Sequence, residues 1–152
     1  MPVVPVSLGA FRFHRGIAAL LVIAFWTLIP SGALAETNSM TVQLNKLESE
    51  GSTCRAYIVL ENRGEVSFDA LRLDLVIFDK DGVIARRLAV DAAPMAAGRT
   101  GVRVFGINNH ACDNIGRVLL NDTLNCASSS GDISGCMNRI ATESIAGVPF
   151  IK

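Results

Sequence analysis

Aromatic residues are scarce in this chain of 152 residues, at 6 %. Its one tryptophan, Trp26, falls among the first 35 residues, and the chain after them offers only Tyr57, Phe68, Phe78, Phe105 and Phe150. A sugar-stacking surface, which needs several exposed rings, is poorly supplied. Histidine is nearly missing too: His14 and His110 are the only two, too few for a multi-histidine metal site. Basic residues are scattered, Arg86-Arg87 being the only adjacent pair, which argues against nucleic acid and anionic membrane surfaces as partners. C-x-x-C, G-x-S-x-G and S-x-x-K are all absent, so neither a zinc site nor a familiar serine nucleophile has its motif.

No apolar run reaches bilayer length. The longest, residues 17–29 (IAALLVIAFWTLI), falls short of the roughly 20 residues a spanning helix needs, and Pro30 and Gly32 end it. With Arg12, His14 and Arg15 before it and the small-x-small pattern Ala33-Leu34-Ala35 after it, the stretch has the form of an export signal. Cleavage is expected after Ala35, which makes residues 1–35 a signal peptide and 36–39 a polar linker; a retained anchor is the alternative. The first cysteine, Cys54, lies too far downstream to be lipidated. The expected location is the periplasm or the exterior, with no membrane span once the leader is gone. Of the 14 basic and 14 acidic residues the leader holds two basic ones and no acidic one, leaving 12 against 14 and a net charge near −2. The remaining 117 residues suffice for one core.

The four cysteines, Cys54, Cys112, Cys126 and Cys136, all follow the leader. An even number in a small exported chain implies two disulfides with three possible pairings. The small residues of CASSSGDISGC let residues 126–136 double back, which favours Cys126 with Cys136 and leaves Cys54 for Cys112.

A two-residue alternation of apolar side chains marks the strands. Met40, Val42 and Leu44 open the series, followed by Ala56, Ile58 and Leu60. The most regular run, residues 71–78 (LRLDLVIF), points Leu71, Leu73, Leu75 and Ile77 inward and Arg72 and Asp74 outward at its start, with Val76 and Phe78 also on the outer face, so that its far end is expected to be covered too. Residues 83–90 continue as a partner strand, residues 100–105 alternate Val102 and Val104 against Gly101 and Arg103, and residues 117–124 form a last strand. Between the last two lies a polar, turn-rich connection, residues 107–116 (INNHACDNIG). Residues 136–145 (CMNRIATESI) suggest one or two turns of helix in an irregular tail over 127–152. Six or seven short strands about ten residues apart predict an all-β fold: an antiparallel, immunoglobulin-like β-sandwich over residues 40–126.

Three stretches invite a chemical reading. Asp79-Lys80-Asp81-Gly82 could open a calcium loop, but aligning Gly82 with the invariant glycine of an EF-hand puts Ile77 and Leu88 where the first and twelfth ligands belong. Asp-Gly between two apolar runs is instead the chemistry of a hairpin corner, so Asp79, Asp81 and Gly82 are read as a structural turn. His110, close to Asp113, could serve a small hydrolase, yet with the cysteines oxidised no positioned nucleophile accompanies it. Asn121-Asp122-Thr123 matches the glycosylation triplet, which matters only in a eukaryotic secretory pathway.

The order YIVLENRG, FDALRLDLVIFDKDGVI, MAAGRTGVRV, from Tyr57 to Val104, resembles FxLYD-type and related bacterial immunoglobulin-like domains. Asn62, the strand over 71–79, Gly82 and Gly98 fall at the matching places, while the four cysteines and the 107–116 connection depart from that pattern. The resemblance implies an accessory cell-envelope module without catalytic residues. The expected function is therefore protein binding or a structural role, with no cofactor and no metal, and an envelope protein as partner. Its best surfaces would be the outer face of the 71–78 strand, where Val76 and Phe78 stand, and the 107–116 loop. A periplasmic hydrolase using His110 and Asp113 is the alternative.

Overall fold

The structure is a computed structural model that describes residues 39–152; the expected leader and the linker residues 36–38 lie outside it. Nine strands form among the described residues: β1 Met40–Glu50, β2 Thr53–Asn62, β3 Ala70–Asp79, β4 Ile84–Asp91, β5 Thr100–Ile107, β6 Ile115–Ser128, β7 Gly131–Asp132, β8 Ile140–Ser144 and β9 Phe150–Ile151. One sheet has the order β5-β2-β1-β8; the other runs β4-β3-β6-β7, with β9 also alongside β6.

The alternation decides which face each strand buries. Ala56, Ile58 and Leu60 of β2 face Leu71, Leu73, Leu75 and Ile77 of β3 across a single apolar core, joined by Met40, Val42 and Leu44 of β1. Full burial of one such leucine or isoleucine contributes about 1.5–3 kcal/mol. β1 would lose its phase after Leu44, because Lys46 occupies the next inward position. The register shifts between Leu44 and Lys46, so that Asn45 is the extra residue of a bulge and Leu47, opposite Ala56, returns to the core.

The C-terminal segment differs from the expected tail. Cys136–Arg139 is one turn of 3-10 helix, and then β8 pairs parallel with β1, from Met40↔Ile140 to Leu44↔Ser144. β9 pairs parallel with β6 through Val118↔Phe150 and Leu119↔Ile151. Each sheet thus receives a strand from beyond residue 126, and neither is wholly antiparallel. Ile140 and Phe150 are buried in the core, and their burial explains why short segments without apolar alternation are held as strands.

Asn62 fixes the end of β2. It is 1 % exposed, and its side chain donates to the carbonyls of Val66 (2.8 Å) and Ala96 (3.1 Å) while accepting from the Gly64 N–H (3.1 Å). One amide therefore ties together backbone groups of the two loops that enter and leave the second sheet. No described helix is long and apolar enough to cross a membrane.

Candidate interaction surface

The Asp79-Lys80-Asp81-Gly82 stretch is the corner joining β3 to β4. Asp79 N–H donates to the Val83 carbonyl (2.9 Å), and Gly82 stands at φ +80° in the left-handed region. Three residues therefore lie between the bonded pair Asp79 and Val83, with glycine in the position that needs positive φ. The Asp79 carboxylate is spent on the turn itself: Oδ1 accepts from the N–H groups of Asp81 (3.0 Å) and Val83 (2.9 Å). Gly82→Val is expected to lower stability by about 2 kcal/mol, because a β-branched residue is forced to positive φ. Asp79→Asn keeps the accepting oxygen and should leave the melting temperature unchanged, with or without calcium. A calcium-dependent rise in melting temperature would contradict the structural assignment.

The 107–116 connection is tied down. A disulfide joins Cys54 to Cys112, and another joins Cys126 to Cys136, the pairing favoured by the spacing. Both belong to a protein of an oxidising environment. The His110 N–H donates to the Ser52 carbonyl (3.1 Å), and the Arg86 guanidinium of edge strand β4 reaches the Asn108 (3.3 Å) and Asn109 (3.5 Å) carbonyls. The His110 Nε2 is buried without a hydrogen-bond partner, while Asp113 is exposed on the following 3-10 turn. Among the described residues no hydroxyl is hydrogen-bonded to that ring, so the structure does not assemble a nucleophile, base and orienting acid here.

On the outer face of β3, Arg72 is exposed and the far end is covered, both as expected, but Asp74 departs from the sequence expectation. Asp74, expected outside, is 2 % exposed. The Arg87 guanidinium covers it through two parallel bonds, Nε to Oδ1 (2.8 Å) and Nη2 to Oδ2 (2.7 Å), and the Asn121 amide adds a third (2.7 Å). Those bonds from Arg87, with help from Asn121, hold the carboxyl below its ordinary range although burial acts the other way. A depressed carboxyl pKa gives stability that is complete above the unfolded value, about 3.9, and is lost as pH falls through the folded value. The melting temperature of the native chain should therefore exceed that of Asp74→Asn at pH 7, and the gap should close below about pH 4. An equal gap at pH 3 and pH 7 would contradict this account. Val76 is buried between its cross-strand neighbours Arg87 and Leu119, and the Arg117 guanidinium lies 4.3 Å over the half-buried Phe78 ring. The apolar face expected here is roofed by arginines.

Exposed apolar side chains sit side by side along an edge strand of the other sheet. Val102 and Val104 of β5 are 55 % and 50 % exposed and pair with Val59 and Tyr57 of β2. They face outward because Phe105 and Ile107 claim the inner positions of the same strand, and because Gly101 leaves room there for the end of the Met95 side chain. Arg103, also on the inner side, bends out to the Pro94 carbonyl (2.9 Å). β5 is an edge strand. Asn62 N–H donates to the Arg99 carbonyl (2.9 Å), so in this antiparallel pairing the odd-numbered residues of β5 turn their backbone groups to β2. Val102 and Val104 turn theirs to the open flank.

No family model matches the chain, and no curated protein does. Among solved structures, that of IrmA from Escherichia coli is similar, at 14 % identity with a TM-score of 0.50. The match covers 68 % of this chain and 89 % of that one. At this identity the likeness concerns the fold alone. The chain is an all-β protein of two sheets stapled by two disulfides.

Proposed function

We propose that this chain is an exported, non-enzymatic accessory module of immunoglobulin type, resembling FxLYD-like domains, that works in the periplasm or outside the cell by holding another envelope protein along β5. The observation that carries this reading is the combination found at Val102 and Val104, where exposed apolar side chains and unpaired backbone groups share one strand. A sheet edge with those properties accepts an added strand: main-chain bonds give affinity and the side-chain pattern gives selectivity. The Val59 and Tyr57 side chains beside it widen the apolar contact. The hydrolase alternative has less support, since the His110 ring lacks both a hydrogen-bonded acid and a nucleophile among the described residues.

A photo-reactive residue placed at Val104 should give one recurrent adduct in living cells, and the same residue at Lys80 on the hairpin corner should not. Val102→Lys, at an exposed position, combined with the photo-reactive residue at 104, should keep the melting temperature and abolish the adduct. An adduct that survives the lysine at 102, or none at position 104, would refute the reading.

A further inference from the structure

β6 is the longest strand, and one of its flanks is left open in the middle. β3 pairs with it on one side from Ile115 to Ala127, with the register shifting past Gly116, Asn121 and Leu124. On the other side β9 covers only Val118 and Leu119, and β7 covers only Ala127 and Ser128, extended by the Ile133 N–H bond to the Cys126 carbonyl (2.9 Å). Between them, over residues 120–125, no described strand lies against β6, a gap of about 20 Å at the rise of an extended chain. The gap opens onto a shallow cleft of about 400 Å³, with residues 122–126 on one side and Asp132, Ile133, Gly135, Cys136 and Met137 on the other. The Cys126–Cys136 disulfide ties the two walls together and fixes the width of the opening.

The lining chemistry selects an occupant. Asp122 and Asp132 are the charged residues of the cavity, both exposed, and among the described residues neither forms an ion pair. No cation lines it. Leu124, 53 % exposed, stands among them with the half-buried Ile133 and Met137. We propose that this cleft is a second docking site, independent of β5, which takes an extended peptide segment of another protein bearing a lysine or arginine. The backbone of that segment would fill the missing place in the sheet between β9 and β7, its basic side chain would lie against Asp122 and Asp132, and a neighbouring apolar side chain would cover Leu124.

A phage-displayed library of random seven-residue peptides, selected against the disulfide-bonded protein, tests this. Selected peptides should carry Lys or Arg, and should slow amide hydrogen exchange across residues 120–125 while leaving residues 100–106 unaffected. Asp122→Asn/Asp132→Asn, at exposed positions, should keep the melting temperature and weaken those peptides at least tenfold; N-methylation of the peptide backbone should abolish binding. Failure to enrich any peptide, enrichment without basic residues, protection elsewhere, or full affinity in the double variant would each overturn the proposal. Loss of the Val104 adduct described above would leave these results untouched, so the two sites stand or fall separately.

Discussion

Replacing Cys54 and Cys112 together by alanine is expected to lower the stability by about 4 kcal/mol, the largest loss of any change considered. The two residues lie 58 positions apart in sequence, and the loop they close holds most of β2, all of β3, β4 and β5, and the crossing back to the second sheet. By chain entropy, closing such a loop restricts the unfolded chain far more than closing a short one. The 10-residue separation of Cys126 and Cys136 gives about 2.7 kcal/mol by the same relation. Chemical denaturation of the two double-alanine variants compares the bridges directly. A smaller loss for the long loop than for the short one would show that strand packing, not loop closure, sets the order.

Gly116→Ala should cost about 3 kcal/mol, at the upper end of the range for overpacking. Gly116 lies where β6 begins to run beside the end of β3, paired through Asp79↔Ile115. A Cβ there would overlap the Asp79 carbonyl oxygen, 2.8 Å from its carbonyl carbon and 3.0 Å from the Lys80 Cα. Every one of these atoms belongs to backbone held by the hairpin corner, so no side chain can swing away to relieve the clash. At Gly82 a Cβ meets nothing within 4 Å and the difficulty is backbone conformation alone. Denaturant midpoints for Gly116→Ala and Gly82→Ala should rank in that order; the reverse ranking would mean that the corner yields more easily than its hydrogen bonds suggest.

Where one face of a strand was plainly apolar and the other plainly polar, the sequence could be read. The inward faces of β2 and β3 follow directly from Ala56-Ile58-Leu60 and Leu71-Leu73-Leu75-Ile77, and the hairpin corner follows from Asp81-Gly82. Alternation names two faces without saying which is inside, and β5 exploits that ambiguity. Val102 and Val104 look like core residues until Phe105 and Ile107 are seen to occupy the buried side. Asp74 was illegible for another reason: its burial depends on Arg87, 13 residues away, and Asn121, 47 residues away. β8 and β9 carry too few apolar residues to announce themselves, because their place is set by strands already formed. The β6 cleft, likewise, is a property of what fails to pair, and no local pattern encodes an absence.

The parallel pairing of β1 with β8 has a consequence for how the chain acquires its shape. Gln43 of the first strand meets Glu143 of the eighth, 100 residues later, so that flank of β1 stays bare until nearly all of the domain has been assembled. Contacts of such long range slow folding, and an uncovered strand is the kind of surface on which partly folded chains adhere to one another. Through that interval the exposed backbone of Met40, Val42 and Leu44 is the region a holding chaperone has most reason to shield.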